Sequence, residues 1–229
     1  MQSTLSAGLH PAPIRPQRVD RSLVLPPDSR GLIVGNSGSG KSYLAKNILV
    51  NITSPVIIDS KWDFEPLGDA VVFHSPSAFL AGWINVPEPV NILYRPDTEY
   101  DDIDSYDVVL MEIFNAAREG RRRSTTYIDE VTLVAPSSQK YPRGLRALSN
   151  QGRSLGAALL AVTQRPSNIP MFLIGNALLC WMFALNLEED IIRMSGIMGA
   201  EVKTPLARYA YWWRDVVNEP RPYPMILRG

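Results

Sequence analysis

The chain has 229 residues with 23 basic and 23 acidic side chains, so its formal net charge is zero and no global basic field announces a nucleic-acid binder. That length suits one sizeable α/β domain and excludes two full ones. Eighteen arginines against five lysines favour the side chain that makes bidentate contacts with phosphate and carboxylate, while a single cysteine, Cys180, and two histidines, His10 and His74, rule out a disulfide framework and argue against structural zinc.

Residues 1–30 carry Pro11, Pro13, Pro16, Pro26 and Pro27 among polar neighbours and predict an extended arm, either a tail or a strap on a neighbouring subunit. One domain then spans 31–229. No basic segment followed by an apolar one marks a secretory leader, and with one cysteine in an apolar run the natural compartment is a reducing one, the cytoplasm. Residues 31–34 (Gly-Leu-Ile-Val) are short, apolar and β-branched, and 41–52 carry Leu44, Ala45, Ile48, Leu49 and Ile52 at helical spacing. Between them lies Gly35-Asn36-Ser37-Gly38-Ser39-Gly40-Lys41-Ser42, a full match to the phosphate-binding loop G-x-x-x-x-G-K-[ST] in the required order of strand, loop and helix. The glycines let backbone N–H groups close around phosphate oxygens and the helix N-terminus adds partial positive charge. Lys41 is expected to reach the β- and γ-phosphates and Ser42 to sit on Mg²⁺, with Tyr43 completing the ATP-binding segment. A dinucleotide reading is weaker. Asp59 ends the next strand where a ribose-binding acid would lie, but the glycine spacing does not fit G-x-G-x-x-G.

Strands are predicted at 32–34, 56–59, 71–73, 92–94, 126–129, 157–162 and 179–184, and helices at 41–51, 100–119, 141–155 and 188–196. This alternation predicts an α/β fold, a mostly parallel sheet sandwiched by helices. Residues 207–213 and 223–227 read as antiparallel strands at a sheet edge. The apolar run 171–187 is broken by Gly175, Asn176 and Asn186 and falls short of the roughly 20 residues of a membrane span, so it reads as a helix end followed by a buried strand.

Two strand ends carry further chemistry. Tyr127-Ile128-Asp129-Glu130 offers Asp129 to the Mg²⁺ hydration shell and Glu130 to polarise an attacking water, an adjacent acidic pair that marks ATP hydrolysis in additional-strand P-loop ATPases more than switching. Thr163-Gln164-Arg165-Pro166 ends another apolar strand, and in a parallel sheet Gln164 would emerge on the edge that bears the phosphate loop, placed to bond the γ-phosphate or the lytic water. A polar residue before a proline turn is the equally weighted structural alternative.

Together, residues 35–42, Asp59-Ser60-Lys61, residues 127–130, and Gly152-Arg153-Ser154-Leu155-Gly156 running into Thr163-Gln164-Arg165-Pro166-Ser167 resemble the FtsK/HerA superfamily of DNA-pumping ATPases over about residues 31–213. The chain looks most like the genome-packaging ATPases of membrane-containing and double-jelly-roll viruses. The resemblance implies a RecA-like P-loop NTPase fold of the additional-strand class and a hexameric or pentameric homo-oligomeric ring around double-stranded DNA. It also implies a capsid vertex or portal protein as a further partner, in the host cytoplasm or on the virion. An arginine from one subunit completes the neighbour's site in that family, and Arg153 and Arg146 are the candidates, with the run Arg121-Arg122-Arg123 as rival or as a DNA or subunit contact. Residues 135–146, with Lys140, Arg143 and Arg146 among serines and prolines, form a candidate DNA-gripping loop, and without a winged-helix module the binding is expected to be sequence-independent.

Other functions remain on the table. The same engine serves plasmid transfer or chromosome segregation, although such relatives carry additional domains. A P-loop kinase would have no reason for Glu130 plus Gln164. An assembly ATPase of phage morphogenesis or a nucleotide switch is the third class, but Ser60-Lys61-Trp62-Asp63, which has some letters of the guanine-reading N-K-x-D motif, follows the wrong strand.

Overall fold

The computed structural model describes residues 21–219 and 221–227. In chain order it contains β1 (Arg30–Val34), α1 (Lys41–Leu49), β2 (Val56–Ile58), β3 (Ala70–Phe73), α2 (Pro76–Gly82), β4 (Asn91–Tyr94), α3 (Ile103–Arg118), β5 (Thr125–Ile128) and α4 (Val131–Val134). There follow α5 (Arg143–Leu155), β6 (Ala158–Thr163), α6 (Met171–Gly175), β7 (Leu179–Met182), α7 (Glu188–Met198), β8 (Ala210–Asp215) and β9 (Tyr223–Ile226).

The described strands form one sheet in the order β3-β4-β2-β5-β6-β1-β7-β8-β9. Pairing is parallel from β3 to β7, and β8 and β9 close the far edge antiparallel. Parallel strands covered on both faces need apolar side chains pointing both ways, and β1 shows this. Leu32 and Val34 pack with α2, α3, α5 and α7 residues such as Phe79, Ile113, Leu148 and Met194, while Ile33 between them packs with Leu44 and Ile48 of α1. The helical cover is therefore uneven, with α1 the main helix on the second face.

Register positions the site. Leu32 of β1 and Ile128 of β5 both lie beside Ala161 of β6 in the pairs Leu32↔Ala161 and Ile128↔Ala161. The carboxyl ends of β1, β6 and β5 thus meet at one edge, with the intervening β6 separating the phosphate loop from the acidic pair.

Several element ends differ from the sequence expectation, each for a local reason. α3 starts at Ile103 rather than 100 because Asp102 caps it, its carboxylate accepting from Ser105 N–H at 2.8 Å. α5 starts at Arg143, after Pro142, and ends where Gly156 turns left-handed at φ 70°, which moves β6 to 158–163. α2 is an addition to the predicted helices, although Ser75 accepts from Ala78 N–H and Pro76 occupies the first helical position, the usual start signal. Of the proline-rich stretch, the proposed strap at 1–20 lies outside the described residues. Residues 21–30 do not extend away from the domain. Ser22 is buried, its carbonyl accepting from Trp181 Nε1 at 2.7 Å, and Leu25 is buried beside Gly31 of β1. Among the described residues no helix is long and apolar enough to cross a membrane.

Candidate active site

The phosphate loop is tied on both sides. Gly35 N–H donates to Thr163 O at 3.3 Å and Asn36 N–H to Ala184 O at 3.0 Å, so the loop hangs between the ends of β6 and β7. Gly38 and Gly40 have φ of 70° and 109°, conformations that side chains resist, which explains glycine at these two positions. The Ser39 hydroxyl is buried without a hydrogen-bond partner and lies 2.8 Å from where a Cβ on Gly35 would stand, so it points into the loop. A buried hydroxyl left unpaired is costly, and a phosphate oxygen is the acceptor that such a loop is built for. Lys41 crosses the loop and donates from Nζ to Asn36 O at 2.8 Å. Burial lowers its pKa to about 8; Glu130 and Asp129 oppose that shift and Lys61 adds to it.

Asp129 and Glu130 are both buried at the end of β5. Asp129 accepts from the Tyr127 hydroxyl at 2.6 Å, and Glu130 accepts from Thr132 Oγ1 at 2.8 Å while capping α4. Lys61, on the bend after β2, holds both acids, with Nζ 3.2 Å from Asp129 Oδ2 and 3.8 Å from Glu130 Oε2. Two ammonium groups thus balance two carboxylates before any ligand enters. A triphosphate entering here would add several negative charges, which a divalent cation would offset, and the Ser42 hydroxyl and the Asp129 carboxylate are the oxygen donors of the kind that would hold one. Among the described residues no group of three or more His, Cys, Asp or Glu is assembled to hold a metal ion without a ligand's oxygens.

Gln164 is half-exposed at the same edge, next to Thr163, which pairs with Val34. Residues 35–43, Asp129, Glu130 and Gln164 are thereby brought together. Arg165 beside it is not available to a ligand in the same way, because it donates to Asp190 at 2.9 Å and Glu189 at 2.5 Å on α7.

The arginine candidates are divided between the two edges. Arg153 lies in the last turn of α5, just before the first residue of β6, so it sits at the amino edge, a strand length of about 20 Å from its own loop. It is exposed there, close enough to Arg30 to lower that residue's pKa after burial has done so. Arg146 is exposed in the first turn of α5, nearer the carboxyl edge. The run at 121–123 is mostly occupied internally. Arg121 pairs with Glu112 and Glu119, and Arg122 donates from Nη1 to the carbonyls of Trp83, Ile84 and Val86. In the candidate DNA loop, residues 138–140 are exposed, while Arg143 is paired with Asp107 at 2.9 Å. Asp59 is fully buried and bonded to Arg95 Nε at 2.5 Å, so it serves the fold and not a ribose. Burial pushes its carboxyl up, against the pull of Arg95.

Lys61 is the site residue to which sequence reasoning assigned no role. Its signals are its place in Asp59-Ser60-Lys61, one of the segments that carry the resemblance, and its position two past an apolar strand, which say nothing about what it contacts until β2 is set beside β5.

No protein-family model matches the sequence, and no curated protein matches it. Solved structures do. The genome packaging NTPase B204 from Sulfolobus turreted icosahedral virus 2, in complex with sulfate, superposes with a TM-score of 0.70 at 21% identity, covering 89% of this chain and 99% of that one. Its complex with ATP-gammaS gives a TM-score of 0.68 at 22% identity, covering 89% and 100%. VirB4 of Thermoanaerobacter pseudethanolicus gives 0.61 at 12% identity, covering 87% and 89%. The chain therefore has the RecA-like P-loop fold that the FtsK/HerA resemblance implied.

Proposed function

We propose that this chain is an ATP-hydrolysing DNA translocase that packages a viral double-stranded genome into a preformed capsid, working as a homo-oligomeric ring in the host cytoplasm. The observation that carries the reading is the convergence of Lys41, Asp129, Glu130 and Gln164 at one sheet edge while Arg153 stands exposed at the other. Similarity to the packaging NTPase B204 supports it over other uses of the fold.

In this reading the backbone of 35–42 cradles the phosphates and Lys41 neutralises their terminal charge. Ser42 and Asp129 would hold a magnesium ion that, when bound, offsets charge on the β- and γ-oxygens. Glu130 takes the proton of the attacking water, and its Thr132 bond fixes one carboxylate oxygen so that the other faces the site. Gln164 orients that water. Arg153 reaches the phosphates of the next subunit, since its own are a strand length away.

The test is ATP turnover by the purified chain with and without double-stranded DNA. Stimulation by DNA of any sequence, weakening steeply with salt, is the expected result. Turnover indifferent to DNA, or raised only by a small phosphate acceptor, would remove the translocase reading.

A further inference from the structure

The phosphate loop stands between two unlike neighbourhoods. Toward β6 and β5 lie Gln164, Asp129 and Glu130; on the other side lie β7, β8 and β9. β8 runs antiparallel to β7, with Met182↔Trp212, and β9 antiparallel to β8, with Ala210↔Ile226. The residues just before Ala210 and just after Ile226 therefore return to the edge that bears the loop. These are Arg208, Tyr209 and Leu227.

Leu227 and Tyr209, together with Phe183, lie against the loop's last glycine. A Cβ built on Gly40 would come within 2.5 Å of Leu227 Cδ1 and 3.6 Å of Tyr209 Cδ1. Tyr209 is 43% exposed, although it is held by a backbone bond from Leu227 N–H to its carbonyl at 3.1 Å. Its φ of 63° is left-handed, an unfavourable state for a bulky residue. The Arg208 guanidinium lies 4.7 Å from the centre of its ring. An exposed aromatic held in a disfavoured backbone state beside a phosphate cradle does no core packing that a less constrained residue would not do.

Direction follows from the sheet order. With the terminal phosphate held at the acidic pair, a triphosphate lying along 35–42 points its other end away from β5, toward β7–β9. We propose that Arg208, Tyr209 and Leu227 form the nucleobase subsite, and that it reads ring area, taking purines over pyrimidines with little preference between adenine and guanine. Stacking on an aromatic ring and a guanidinium, with apolar contact from Leu227, grips any base in proportion to its face. This rests on the reading of 35–42 as a nucleotide site.

The experiment measures binding of ATP, GTP, CTP and tripolyphosphate to the full chain with magnesium. Wild type is expected to bind ATP and GTP within about threefold of each other and about tenfold more tightly than CTP or tripolyphosphate. Tyr209→Ala should lose about tenfold for ATP and GTP and nothing for tripolyphosphate, Arg208→Ala a smaller part of that, and Tyr209→Phe almost none. Tripolyphosphate binding as tightly as ATP to wild type overturns the subsite, as does an unchanged ATP-to-tripolyphosphate ratio in Arg208→Ala and Tyr209→Ala. If Tyr209→Ala does not fold, the Arg208→Ala ratio decides alone. A wild type that binds none of the four, with Lys41→Ala indistinguishable from it, instead sinks the nucleotide reading beneath the subsite.

Discussion

The two edges of the sheet are built from opposite uses of charge. At the carboxyl edge Lys61 pairs with Asp129 and Glu130, and buried Lys41 stands near enough for both acids to act on its charge. At the amino edge Arg30 and Arg153 stand near each other, and Arg123 is exposed beside Gly156, with its Cδ 3.0 Å from where a Cβ on that glycine would lie. A single chain can assemble the first edge because parallel strands bring their carboxyl ends together. It cannot bring the second edge to the first along strands about 20 Å long. One subunit is thus expected to hold a nucleotide and its water, and to lack the positive charge that a transition state draws on.

The contrast can be broken in a graded way. The largest expected effect is on Arg153→Ala, which should lower turnover of the assembled protein about 10³-fold or more while leaving ATP affinity intact. Mixing it with Lys41→Ala subunits should restore part of the activity, because each supplies what the other lacks; unchanged turnover of the pure variant would assign the role to Arg146 or to none. Glu130→Gln should cost about 10²–10⁴ in kcat with ATP still bound, measured by single turnover. Retained hydrolysis there would mean that the acidic pair serves only the metal.

Smaller effects separate structural arginines from free ones. Arg122→Ala removes a donor shared by three carbonyls and should lower stability by about 1–3 kcal/mol in urea unfolding, whereas exposed Arg123→Ala should stay within about 0.5 kcal/mol. Equal losses at the two positions would dissolve that distinction. The smallest effect is on pH dependence. Lys41 with a pKa of about 8 binds phosphate in its charged form, so ATP affinity should be full below that value and fall as pH rises through it. Lys61→Ala removes a positive neighbour that lowers this pKa, so the midpoint should move upward; a midpoint that stays or falls would show that Lys61 does not act on Lys41. Folding stability carries the opposite sign. Because the folded pKa lies below the unfolded value near 10.5, the unfolded chain binds more protons between pH 8 and 10.5, and the Lys41 contribution to stability rises across that window.

Much of the carboxyl edge was legible in the residues. The octapeptide 35–42 depends on local geometry alone, and the acids at 129 and 130 stand at the end of an apolar run, so strand direction suffices to place them. Lys61 was not legible, since its partners lie about seventy residues away and meet it only through the pairing of β2 with β5. The run 121–123 reads as three equal arginines, but the 3₁₀ turn at Trp83–Asn85 presents the Trp83 and Ile84 carbonyls to Arg122 and not to its neighbours. Asp59 has the sequence position of a ribose-binding acid, but Arg95, directly after β4, bonds its carboxylate.

The sequence by itself determined the phosphate loop, the alternation of strands and helices, and the acidic pair, because these follow from backbone preference and from hydrophobic period over a few residues. Only the tertiary structure decided that β6 stands between loop and acids, that β8 and β9 return Tyr209 and Leu227 to the loop, and that Arg153 faces away from its own site. Those are matters of strand order and register, set by long-range packing that no short window of sequence contains.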